Sequence, residues 1–193
     1  MKLNGESETI ERVNTLTFDI FGTVLDLAGS LVPPLEKLLQ ECNAPESLTG
    51  ADVWNHWRLR QRLEQYQDNI IMLGHSGYLE VKKRALLYTL RFLKIEFTYE
   101  KVDEFMKAYH ELIPFQDAIA GLKRLGTRYR LVILSNGEEW YLKQLVENNI
   151  GIDFNEILCA EMVSQFKPHP SVYRFAANRL ELEPAQIMMV ASH

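Results

Sequence analysis

Four short segments carry side chains able to do chemistry together. Asp19 closes an apolar β-branched run, Asn14-Thr-Leu-Thr-Phe, and offers a carboxylate before Gly22. Ser135-Asn136-Gly137 closes a second apolar run, Arg130-Leu-Val-Ile-Leu, and offers a hydroxyl and an amide. Lys167 follows a third run within a short loop, and Ala191-Ser192-His193 follows a fourth. Taken singly, each has an ordinary explanation: an Asp after a strand caps a turn, Ser-Asn-Gly makes one, and a Lys before Pro is solvated. Taken together they read differently. A carboxylate, a hydroxyl–amide pair and a lysine would converge from separate strand ends into one site.

The elements that must position them alternate. Strands are expected at 14–19, 130–135, 156–162 and 186–191, with helices at 118–125, 140–148 and 171–180 between them. Such alternation predicts a parallel sheet with crossover helices, and ligands bind beyond the carboxyl ends of its strands. From Pro33-Pro34 to about Leu112 the character is helical instead, with Leu35, Leu38, Leu39 and Cys42 on one face. Trp54, Trp57, Arg58 and Gln61 repeat that spacing in the next segment, and Gly74 and Gly77 separate it from the third. The expected organisation is a discontinuous α/β core, residues 1–28 and 114–193, with a helical cap over 29–113.

Composition narrows the function. Among 193 residues, Lys plus Arg number 21 against 26 Asp plus Glu, a net charge of −5 that argues against nucleic acid as a partner. Cys42 and Cys159 lie in no CxxC pattern, so no zinc framework or disulfide scaffold is expected. The polar start, MKLNGESETIER, is unlike a signal peptide, and no run approaches the ~20 apolar residues of a membrane helix. A cytoplasmic protein with no membrane partner is the expectation. His56, His75, His110, His169 and His193 show no HxxxH spacing, so no metal site is expected. GxSxG, GxGxxG and GxxxxGK[ST] are all missing.

Three motifs in order carry a family resemblance. Phe18-Asp-Ile-Phe-Gly-Thr-Val-Leu-Asp26 resembles the first motif of the haloacid dehalogenase (HAD) superfamily, Leu134-Ser-Asn-Gly137 its second, and Phe166-Lys-Pro-His-Pro-Ser-Val-Tyr173 its third. The resemblance implies a HAD-like, Rossmann-like α/β core with an inserted helical cap. Phosphatases of the superfamily place a second Asp, a general acid, two residues after the nucleophile; this chain has Phe21, which transfers no proton. An aromatic residue there is similar to the L-2-haloacid dehalogenases, whose halide leaves unprotonated. Trp57-Arg58 with Gln61 resembles their cap motif, and Tyr173 matches their pattern after the lysine.

The implied activity is hydrolysis of short 2-haloalkanoic acids to 2-hydroxy acids through an aspartyl ester, without a cofactor or metal. Asp19 would be the nucleophile, Lys167 its cationic partner and Arg58 the halide acceptor. Thr23, Ser135, Asn136 and Tyr173 would complete the catalytic set. Phe21, Ser135, Asn136, Arg58, Trp57 and His193 would contact the substrate. The partners implied are a halocarboxylate and halide, with a homodimer as a further implication. The dehalogenases read Ser-Ser-Asn and then Trp-Asp after the last strand, where this chain reads Ala191-Ser192-His193. The resemblance therefore implies a C-terminally truncated member that lacks the acid preparing the hydrolytic water. Two other readings stay open: a Mg²⁺-dependent phosphatase of the same fold, and a truncated, non-catalytic relative.

Overall fold

The computed structural model describes residues 12–71 and 74–192. Strand β1 (Thr15–Phe18) is buried at all four positions, as a strand covered on both faces must be. It lies between β4 (Arg130–Ser135) and β6 (Ile187–Val190), and β5 (Glu156–Cys159) flanks β4, all in parallel. The order β5-β4-β1-β6 brings the carboxyl ends of all four strands to one edge. Alternation along β4 divides the interior. Leu131 and Ile133 face the larger apolar cluster, while Val132 and Leu134 face a smaller one completed by Val172, Ala176 and Leu180 of helix α7 (Pro170–Leu180). Helices α5 (Ala118–Gly126) and α6 (Glu139–Leu145) occupy the other crossovers.

A two-stranded antiparallel ribbon, β2 (Leu25–Asp26) with β3 (Ile113–Pro114), marks where the chain leaves the sheet layer and returns. Between them run α1 (Leu27–Glu41), α2 (Gly50–Ile70), α3 (Tyr78–Phe92) and α4 (Tyr99–Met106). Helix α1 begins earlier than the Pro33-Pro34 pair suggests. Asp26 caps it by accepting from the Gly29 amide at 2.9 Å, and both prolines lie inside it. Burial of Leu27, Leu31, Leu35, Leu38 and Leu39 along one stripe outweighs the backbone bonds that the prolines forgo. Helix α2 opens with a capping box between Thr49 and Asp52.

The third core strand is shorter than the sequence suggests. It stops at Cys159, where its partner β4 ends at Ser135, and residues Ala160–Val163 turn in a 3₁₀ helix. With no ladder left to join, Glu161 folds back and accepts from the Glu139 amide at 3.1 Å. Among the described residues no helix is long and apolar enough to cross a membrane. Cys42 and Cys159 are free thiols, both buried.

Candidate active site

Asp19 stands immediately beyond β1, its amide still bonded to the Val190 carbonyl of β6 at 3.0 Å. The chain then turns through Gly22, whose φ of +89° lies in the region glycine adopts freely. That turn brings Thr23 back beneath the carboxylate, and its hydroxyl donates to Asp19 Oδ2 at 3.2 Å. Lys167 Nζ donates to Asp19 Oδ1 at 2.8 Å and to the Leu134 carbonyl at 2.6 Å. Each carboxylate oxygen therefore has one donor and keeps lone-pair capacity for a further contact. The pair is sequestered, with side chains 14% exposed for Asp19 and 10% for Lys167. Burial pushes the Lys167 ammonium below the ordinary lysine range, opposed by the Asp19 charge and its hydrogen bond.

Beyond β4, the side-chain oxygen of Asn136 accepts from the Lys167 amide at 2.7 Å, and its main-chain carbonyl accepts from His75 Nε2 at 2.7 Å. The loop bearing Lys167 is also gripped from α2. Asn69 donates to the Phe166 carbonyl at 3.0 Å and accepts from the Phe166 amide at 2.9 Å. Phe21 is buried, with its ring stacked on Tyr78 of α3 at 4.1 Å between centroids and on Tyr141 of α6 at 5.7 Å. Gly137 makes room for it, since a Cβ there would lie 3.0 Å from the Phe21 ring.

These groups open onto a cavity of about 460 Å³, within the ordinary range of small-molecule sites. Asp19, Phe21, Asn136, Lys167 and Tyr173 line its sheet side, and Arg58, Arg62, Tyr78 and Lys82 line its helical side. Arg58 stands half-buried with its guanidinium 5.5 Å from the Trp54 ring centroid. Burial, then the Asp19 charge, raise the Tyr173 phenol above its ordinary value. Among the described residues no group of three or more His, Cys, Asp or Glu side chains is placed to hold a metal ion.

Most of the residues singled out from the sequence thus converge: Asp19, Phe21, Thr23, Arg58, Asn136, Lys167 and Tyr173. Trp57 does not reach the cavity wall. It is fully buried against Phe105 and Tyr109 and donates from Nε1 to the Lys82 carbonyl at 2.9 Å. An indole this large on the inward face of α2 is worth more as packing than as a substrate contact. Ser135 is also fully buried, and its hydroxyl lacks a hydrogen-bond partner among the described residues. His193 lies outside the described residues. Sequence reading overlooked Arg62 and Lys82, although helical spacing sets Arg62 four residues from Arg58 and Lys82 four from Tyr78.

A family profile described as haloacid dehalogenase-like hydrolase matches residues 13–191. This chain belongs to that family of hydrolases. It is 27% identical over 186 residues to (S)-2-haloacid dehalogenase 4A of Burkholderia cepacia, covering 95% of this chain and 77% of the relative. It is 29% identical over 182 residues to the (S)-2-haloacid dehalogenase of Xanthobacter autotrophicus, covering 94% and 68%. The solved L-2-haloacid dehalogenase of X. autotrophicus superposes with a TM-score of 0.79 at 26% identity, over 92% of this chain and 69% of that one. The same enzyme with chloropropionic acid covalently bound superposes with a TM-score of 0.77 over the same shares. The haloacid dehalogenase fold, with its parallel sheet and inserted helices, is therefore common to all of them.

Proposed function

We propose that this hydrolase cleaves the carbon–halogen bond of short (S)-2-haloalkanoic acids, giving a 2-hydroxy acid and halide. In this reading residues 1–28 and 114–193 are the catalytic core and 29–113 the cap. One carboxylate oxygen of Asp19 attacks C2 of the substrate. The C2–oxygen bond forms as the carbon–halogen bond breaks, and the electron pair leaves with the halide. Water then attacks the carboxyl carbon of the Asp19 ester, releasing the hydroxy acid and a proton and restoring the carboxylate.

The observation that carries this reading is the pairing of a held carboxylate with an apolar neighbour. Asp19 is fixed by Lys167 and Thr23, while the position two residues later is a buried Phe21 stacked on Tyr78. Phosphoryl transfer with departure of an alkoxide is served by a general acid that protonates it; halide departure is served by a cation instead. Arg58 is the cation for that task, across the cavity from Asp19. Asn136, its side-chain oxygen engaged by Lys167, presents its amide nitrogen to the substrate carboxylate. Tyr173 and Phe21 shape the remaining wall. Dehalogenase relatives, and a neighbour solved with chloropropionic acid covalently bound, support the same chemistry.

The test is halide release from (S)-2-chloropropionate in EDTA, paired with single turnover in ¹⁸O-water. Halide should appear without added metal, and ¹⁸O should enter the Asp19 carboxylate. Mg²⁺-dependent hydrolysis of phosphate esters with no halide release would sink the reading.

A further inference from the structure

Positive charge in the cavity exceeds what a simple 2-haloalkanoate can use. Arg58, Arg62, Lys82 and Lys167 line it, against the single carboxylate of Asp19. Lys167 is paired with Asp19, but among the described residues no carboxylate oxygen lies within 4.0 Å of a cationic nitrogen of Arg58, Arg62 or Lys82. The acids nearby on α2 are committed elsewhere. Glu64 is engaged by Arg60 and Arg84, and Asp68 by Arg84 and Ser76.

Lys82 is the least expected of the three. It is 2% exposed, yet its ammonium reaches the cavity across the Tyr78 ring, 4.2 Å from the centroid. Its main chain is pinned by the buried Trp57 indole. Burial, reinforced by Arg58, pushes its pKa well below the ordinary lysine range; Asp19 and Glu138 only partly oppose this. With Asp19 and Glu138 acting on it only from beyond ion-pair distance, an ammonium kept in such a place is stabilised by an anion that arrives to meet it. Arg62, one helical turn along α2 from Arg58 and exposed, extends the same positive strip outward.

Resting on the dehalogenase reading, we propose that the preferred substrate is a 2-haloacid with a second anionic group, of the halodicarboxylate class. Its C1 carboxylate is held beside Asn136, its halogen points at Arg58, and its distal carboxylate meets Lys82 with Arg62 at the entrance. The chemistry is unchanged: the Asp19 ester forms at C2, halide leaves with the bonding pair, and water yields a 2-hydroxy diacid.

The experiment is calorimetric titration of the full chain with succinate and propionate, alongside halide release from (S)-2-chlorosuccinate and (S)-2-chloropropionate. Succinate should bind about tenfold tighter or more, the size of one charge-assisted hydrogen bond. The two kcat/KM values should stand in a similar ratio. Lys82→Met, which replaces the buried cation by an apolar chain of similar length, and Arg62→Gln, at an exposed position, should each reduce both ratios. Equal or weaker binding of succinate overturns the proposal, as does a preference that survives in both variants. If chloropropionate is the better substrate, this inference fails while the dehalogenase reading stands. If succinate binds tightly but neither compound releases halide, the dianion site stands and the dehalogenase reading fails.

Discussion

The Lys167 ammonium lies 2.8 Å from Asp19 Oδ1 although 148 residues separate them in the chain. This contact ties the loop after β5 to the end of β1 across the top of β4, whose Leu134 carbonyl accepts a second bond from the same nitrogen. Neutralising the ammonium weakens one of two donors to the Asp19 carboxylate and leaves that carboxylate buried without its cation. Because burial lowers the Lys167 pKa, the ammonium persists on the acid side and is lost as pH rises through a value below the ordinary 10.5. The kcat/KM profile should therefore fall on its alkaline limb earlier than a solvent-exposed lysine would give. That limb should persist in Lys82→Met, which removes the other lysine with a lowered pKa. Lys167→Ala should cost about 10²-fold or more, as loss of a charge-stabilising contact does.

Asp19→Ala should abolish halide release outright, and a stalled wild-type reaction should show the substrate fragment esterified to Asp19 by peptide mass spectrometry. Finding the adduct on Ser135 or Cys159 would reassign the nucleophile.

Arg58 has no ion-pair partner among the described residues, and its guanidinium lies over the Trp54 ring, 5.5 Å from the centroid. Arg58→Ala should accordingly lower kcat by about 10²-fold while leaving the thermal midpoint within a few degrees of wild type. It should also weaken competitive inhibition by added bromide. A large loss of stability with unchanged kcat per folded molecule would assign the arginine to structure.

Arg84 is the opposite case. It bridges the buried carboxylates of Glu64 and Asp68 between α3 and α2. Arg84→Met should destabilise the chain by on the order of 3 kcal/mol, because both acids stay behind with one cation between them. Urea melts provide the measurement. A change below about 0.5 kcal/mol, typical of surface substitutions, would contradict it.

The two thiols should be inert in the folded protein. Burial pushes Cys159 up to about 11 and raises Cys42 as well. Iodoacetamide at pH 8 should leave both unmodified over a time in which urea-unfolded chain reacts fully. Rapid labelling of the native form would show that one of them is accessible.

What the sequence made legible follows from where information is local. Asp19 and Asn136 follow directly on apolar runs and Lys167 lies in the loop beyond a third, so strand periodicity sends them toward one edge of a parallel sheet. Arg58 needed the family's cap motif, because an arginine on an amphipathic helix carries no label of its own. Lys82 was hidden for a physical reason. Beside Lys83 and Arg84 it reads as part of a solvated charge run, and only the packing of α3 on α2 turns it inward. Trp57 misled in the reverse sense, since adjacency to Arg58 does not imply a shared face: neighbours on a helix point about 100° apart. The third strand ends before the sequence suggests: Ala160 and Met162 alternate with Glu161 as a strand would, whereas its length is set by the partner that runs out at Ser135.

The placement of β1 between β4 and β6 bears on how the protein is made. The strand that carries Asp19 is synthesised before both of its partners: its first neighbour in register starts at Arg130 and its second at Ile187. Until those residues are synthesised, an all-buried strand has no sheet to join, while the helices between can already pack on one another through local contacts. The nascent chain thus carries Asp19 on an unpaired apolar segment until both neighbouring strands have followed it. A holdase that shields residues 15–18 during that interval would act on the yield of enzyme rather than on its rate.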